Sequence, residues 1–98
     1  MPEITYLEAI REAHFEEMDR DPNVFAMGED IGAYGGAFKV TEGLLSRFGE
    51  QRVVDTPISE IALVGAAAGA AHMGMRPIVE MQFIDFLANA YDMLTNYV

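Results

Sequence analysis

Leu7, Ile10, His14 and Met18 recur at the spacing of one helix face, with Glu8, Arg11, Glu12, Glu16 and Glu17 between them. Thr5 followed by Glu8 has the spacing of a capping box, which places the start of this first helix. Asp21-Pro22-Asn23 breaks it, and the apolar run Val24-Phe25-Ala26-Met27 reads as a short buried strand ending at Gly28. A loop from Gly28 to Gly36 follows, carrying Glu29, Asp30 and four glycines. Thr41 is placed to cap a brief helix through Leu44, Leu45 and Phe48 that stops at Gly49.

Arg52-Val53-Val54-Asp55 predicts a second strand, after which Pro57 removes a backbone donor where the chain must turn. A third helix is expected from Ser59 or Glu60 to Met73, ending at Gly74. Pro77 to Gln82 predicts a third strand. A fourth helix begins after Phe83 or Ile84, with Leu87, Ala90, Tyr91, Leu94 and Val98 keeping the helical period. Helices alternating with short apolar strands on tight connections point to an α/β fold with a mainly parallel sheet flanked by helices. No glycine or proline stops the last pattern, so this helix is expected to be still running at Val98 and the chain to be the first piece of a longer protein. Three strands needing cover on both faces leave apolar surface over, so the chain alone is expected to be marginal or associated.

Composition narrows the chemistry. Ninety-eight residues with 51% hydrophobic content fill one modest core. A formal charge of −10 with no basic stripe repels phosphate backbones, which argues against nucleic acid as a partner. The longest weakly polar stretch, Ile61 to Ala71, falls well short of the roughly 20 residues that cross a bilayer, so no membrane association is expected. The start of the chain resembles neither a signal nor a transit peptide, and the expected location is cytoplasmic. Cysteine is absent, which removes disulfides, thiolate zinc sites and cysteine nucleophiles together.

In open parallel sheets ligands gather at the carboxyl ends of the strands, here Gly28 to Asp30, Asp55 to Glu60 and Gln82 to Phe86. The string Asp55-Thr56-Pro57-Ile58-Ser59-Glu60 sets an acid at the mouth of the small-residue run Ala62 to Ala71. A carboxyl so placed can be held away from bulk water and serve in proton transfer, which makes Glu60 the leading catalytic candidate. The plainer reading is that Ser59 or Glu60 only caps the third helix. Gly65 and Gly69, four apart among alanines, suit close helix packing within the chain or between subunits. The loop Gly28 to Gly36 lacks the Lys-Ser/Thr ending of a phosphate loop and carries two acids, so it is not read as a phosphate site. Asp19, Asp21, Asn23 and Asp30 meet a calcium-loop template only in part, with Val24 at the required glycine. His14 and His72 have no second histidine or cysteine at ligand spacing, so no metal site is expected. Met73, Met75 and Met81 read as core filler.

Four strings, Met27-Gly-Glu-Asp-Ile-Gly32, Gly35-Gly-Ala-Phe-Lys-Val-Thr41, Val54-Asp-Thr-Pro-Ile-Ser-Glu60 and Arg76-Pro-Ile-Val-Glu-Met-Gln-Phe-Ile-Asp-Phe86, carry a resemblance that spans almost the whole chain. In order and spacing they resemble the beta subunit of the thiamine-diphosphate-dependent 2-oxo acid dehydrogenase E1 component, of pyruvate, branched-chain or acetoin type. The resemblance implies that residues 1–98 form the N-terminal part of a transketolase-like pyrimidine-binding domain. It makes Glu60 the glutamate that hydrogen-bonds N1′ of the aminopyrimidine, favouring the imino tautomer that takes the thiazolium C2 proton. The cofactor supplies the carbanion chemistry while the protein sets its protonation and pose.

By the same resemblance Glu29 supports Glu60, Ile58 and Ser59 line the cleft, Gln82 contacts the cofactor and Phe86 stacks on the pyrimidine ring. Phe86, Leu87, Ala88 and Asn89 border the 2-oxo acid pocket. The partners implied are an E1 alpha subunit, which brings the diphosphate and Mg²⁺ motif, a second beta subunit, and a lipoyl-bearing E2 acyltransferase. A catalytic histidine, a potassium-site loop and a C-terminal domain are expected beyond Val98, so the 98 residues alone are expected to be inactive. Two other readings stay open: a non-catalytic subunit-packing module, and a transketolase-like enzyme using the same glutamate.

Overall fold

The computed structural model describes residues 2–98. Its elements are α1 (Tyr6–Arg20), β1 (Val24–Gly28), α2 (Leu44–Phe48), β2 (Val53–Asp55), α3 (Glu60–His72), β3 (Arg76–Glu80), a 3-10 segment (Ile84–Ala90) and α4 (Tyr91–Asn96). The three strands are all parallel in the order β2-β1-β3, so α3 carries the chain from one edge of the sheet to the other.

Strand alternation splits the core in two. Val24, Ala26 and Val53 face one way and pack with Met18 of α1, Leu44 of α2 and Ile31, with Phe15, Phe48 and Ile78 around them. Met27 faces the other way onto Leu63 and Ala67 of α3, with Phe25, Val54 and Val79 beside it. Each fully buried large side chain in these layers contributes about 1.5–3 kcal/mol relative to exposure. The central strand β1 is apolar throughout because both of its faces are covered.

The capping box forms as its spacing predicts: Glu8 N–H donates to Thr5 Oγ1 at 3.1 Å, and the Thr5 N–H points back to Glu8. Beyond the C-terminal end of α1, Arg52 donates to the carbonyls of Met18 (2.7 Å), Asp21 (3.0 Å) and Val24 (2.7 Å), while its guanidinium lies over the Phe48 ring. One side chain therefore gathers three carbonyls where helix turns into strand, Met18 O of the last helical turn among them. His14 Nδ1 shares a hydrogen bond with the Ile10 carbonyl within its own helix.

Three elements differ from the pattern. Thr41 does not cap α2; the cap is Gly43 at φ +89°, and the buried Thr41 hydroxyl donates to Ile31 O at 2.8 Å, because closing the preceding loop satisfies a hydroxyl with no access to water. β3 ends at Glu80 rather than Gln82, since its partner β1 ends at Gly28 and pairing stops with it. The fourth helix opens as a 3-10 segment, becomes α-helical only at Tyr91, and closes at Asn96 with the Tyr97 N–H on Met93 O, so it does not run to Val98. A short apolar period cannot separate i→i+3 from i→i+4 bonding, and the pattern was silent on that choice.

Candidate active site at the strand carboxyl ends

Register brings the three strand ends level, with Gly28 opposite both Asp55 and Glu80. The chain leaving β1 is then folded back by a set of short bonds. Asp55 Oδ1 accepts from the Gly32 N–H at 2.7 Å, the Gly36 N–H donates to Asp30 O at 2.7 Å, and Thr56 N–H donates to Gly28 O at 2.9 Å. Asp30 takes the left-handed conformation at φ +58° to make this turn. Gly32 has no room for a side chain: a Cβ there would lie 2.9 Å from Asp55 Cγ and closer still to Oδ2. The loop glycines thus serve close backbone approach, and the result is a loop that turns Glu29 inward.

Glu60 opens α3 and is 9% exposed, while Glu29 is 6% exposed. Ser59 occupies the N-cap position without a side-chain capping bond. Glu60 Oε1 instead accepts from Asn89 Nδ2 at 3.0 Å. Burial, foremost, and then a side-chain hydrogen bond with Glu60 and the Glu60 charge push the Glu29 carboxyl above its ordinary range; the Ser59 backbone N–H acts in the opposite sense. Glu29 Oε2 is buried with no partner among the described residues. Two buried carboxyls so placed set the Glu29 acid in a desolvated, negatively charged surrounding, the kind of environment from which acid–base groups are built.

The other expected residues fall around this pair unevenly. Gln82 Nε2 donates to the Glu29 carbonyl at 3.2 Å, so its amide is engaged with the acid-bearing loop. Phe86 is 37% exposed and meets Phe83 edge-on at 5.7 Å, and Phe83 in turn meets Phe38 at 5.4 Å. Ile58 is 84% exposed and Ser59 is also exposed, so neither is enclosed within this chain. Leu87 is half-buried and Ala88 exposed on the 3-10 segment. Asp55, given no role by sequence reasoning, clamps the loop, and Asn89, expected near a substrate, touches Glu60. Its place in the string leading to Glu60 was the one sequence signal for Asp55; the Asn89 contact had none. At the end of β3, burial also pushes the Glu80 carboxyl up, opposed by the charge of His14.

Residues 2–98 match the family described as transketolase, pyrimidine binding domain. Over 94 residues, 96% of this chain and 29% of the relative, the sequence is 52% identical to the 2-oxoisovalerate dehydrogenase subunit beta of Bacillus subtilis (strain 168). It is equally similar, 52% over the same shares, to the pyruvate dehydrogenase E1 component subunit beta of Rickettsia felis. Against the chloroplastic pyruvate dehydrogenase E1 component subunit beta-3 of Arabidopsis thaliana it is 50% identical over 96% of this chain and 23% of the relative. The chain spans less than a third of the length of these curated relatives. A match over 97 of 98 positions, on a parallel α/β sheet with helices on both faces, establishes that the chain belongs to the transketolase pyrimidine-binding domain family.

Proposed function

We propose that residues 1–98 are the front part of the pyrimidine-binding domain of an E1 beta subunit, acting in a thiamine-diphosphate-dependent 2-oxo acid dehydrogenase. The observation that carries this is the buried Glu29–Glu60 carboxyl pair at the level strand ends, with one Glu29 carboxyl oxygen unpartnered among the described residues. The residues present fit an aminopyrimidine: Glu60 offers an acceptor to a ring nitrogen, and the partly exposed Phe86 offers aromatic surface for stacking. When bound, thiamine diphosphate supplies the electron sink for decarboxylation of a 2-oxo acid. Glu60 holds or yields a proton at the pyrimidine nitrogen, and Glu29, whose carboxyl is pushed up foremost by burial, lies beside it. Gln82 and Asp55 fix the loop that carries Glu29.

The reaction in this reading is oxidative decarboxylation with reductive acylation of lipoyl groups on an E2 acyltransferase. Phe86 to Asn89 border the 2-oxo acid site, and Ile58 and Ser59, exposed in the single chain, are covered on assembly with the E1 alpha subunit, which brings Mg²⁺ and the diphosphate site. A second beta subunit packs on the outer face of α3, where a Cβ at Gly69 would meet nothing within 4 Å. No helix among the described residues is long and apolar enough to cross a membrane. In this reading the protein works in the cytoplasm.

The test uses the full-length beta subunit assembled with its alpha partner. Glu60→Gln is expected to lower C2 proton exchange of bound thiamine diphosphate by about 100-fold or more, the scale of a lost acid–base group. Exchange at the wild-type rate would sink the role given to Glu60, and calorimetric cofactor binding unaffected by changes at Glu60, Gln82 and Phe86 would favour a packing module instead.

A further inference from the structure

We propose that Asn89 is a positioning residue for Glu60, an inference that rests on the reading of Glu60 as the group facing the cofactor pyrimidine. Asn89 Nδ2 donates to Glu60 Oε1 at 3.0 Å. An amide suits this place for an electrostatic reason. Glu29 and Glu60 are both buried acids, and a third ionisable group beside them would bring a further charge, whereas an amide donates without a charge or an ionisable proton of its own. Lysine or arginine at the same point would lock the carboxylate in its charged form. A carboxylate has about four lone-pair sites, so one amide bond orients Glu60 and still leaves it able to accept from a ligand.

The backbone that carries Asn89 strengthens the case. Asn89 lies in the 3-10 segment Ile84–Ala90, where side chains three apart eclipse, so Phe86 and Asn89 project from the same side. The next residue, Ala90, is fully buried and pins the segment. Gln82, just before the segment, donates to the Glu29 carbonyl. A single stretch, residues 82–89, therefore ties down both acid-bearing segments and carries Phe86 between its two amides in sequence. The 3-10 winding is what brings Phe86 and Asn89 into line; over three residues an α-helix would offset them by about 60°. This gives Asn89 a role toward the acid in addition to its place at the border of the substrate site.

The experiment compares Asn89→Leu, which keeps the size and removes the donor, with Asn89→Ser, which keeps a shorter donor, in the full-length assembly with its alpha partner. C2 proton exchange is measured with thiamine diphosphate and Mg²⁺ and no 2-oxo acid, and the position of Glu60 is read from crystal structures of the cofactor-free assemblies. Asn89→Leu is expected to slow exchange about 10- to 100-fold, the loss of one hydrogen bond to a charged group, with Glu60 Oε1 displaced; Asn89→Ser is expected to recover part of the rate. An assembly that melts at the wild-type temperature and exchanges within about threefold of wild type overturns the proposal, since one charge-assisted bond is worth more than that. So does slowed exchange with Glu60 unmoved, or a defect seen only once a 2-oxo acid is added. If Asn89→Leu fails to assemble, Asn89→Ser is judged by the same two measurements. Glu60→Gln run alongside separates the two levels: normal exchange in that variant overturns the reading of Glu60, while a slow Glu60→Gln beside a normal Asn89→Leu overturns only the role of Asn89.

Discussion

Glu29 is held 6% exposed against a second carboxyl, and its neutral form is favoured in the folded chain. An acid whose folded pKa lies above its ordinary value near 4.5 binds more protons folded than unfolded across the interval between the two. Its contribution to stability is therefore complete below the ordinary value and is lost as pH rises through the raised one. Glu29→Gln keeps the shape and removes the charge, so denaturation at pH 4 and pH 8 is expected to show a variant that gains on wild type as pH rises. Equal differences at both pH values would place the Glu29 titration at its ordinary value. Gly32 supplies a second prediction at this scale. Gly32→Ala drives a methyl into the Asp55 carboxylate and is expected to cost about 1–3 kcal/mol in chemical denaturation. Asp55 itself was legible only as part of a string; that its carboxylate reaches 23 residues back to Gly32 is a fact of folding, invisible to spacing.

Elements were read best where a local rule decides them. The Thr5–Glu8 capping box, the break at Asp21-Pro22 and the strand at Val24 each follow from neighbouring residues, and each formed. Thr5→Ala is accordingly expected to cost about 1 kcal/mol of stability by thermal unfolding. Elements were misread where distant partners decide them: Thr41 turned to Ile31 in place of its helix, and β3 stopped where β1 stopped. Arg52 shows the same dependence. Its spread of bonds to three carbonyls uses the planar fork of a guanidinium, so Arg52→Lys is expected to destabilise the α1–β1 junction by about 1–3 kcal/mol, read as lost amide protection at the end of α1.

At the scale of the molecule, the sheet separates two apolar layers with no residue in common. Met18→Ala on one face and Leu63→Ala on the other are each expected to cost about 2–5 kcal/mol, with the double variant additive to within about 0.5 kcal/mol by urea denaturation. A larger coupling would mean that the strands relax as one body and transmit a cavity across the sheet. The same arrangement sets the acids where they are. Both layers fix the sheet, and the level strand ends then bring Glu29 and Glu60 together from positions 31 apart in sequence.

The alternation of apolar runs and helical periods determined the α/β class, the element order and the polarity of each face, because those depend on contacts a few residues apart. The motif strings determined the family and singled out Glu60 and Glu29. What only the tertiary structure decided was how the acids are held: the Asp55 clamp on the loop, the 3-10 winding that aligns Phe86 with Asn89, and the amide bond from Asn89 to Glu60. Those bonds join residues 23 and 29 positions apart, and their partners are chosen by the register of a parallel sheet, which no local pattern along the chain encodes.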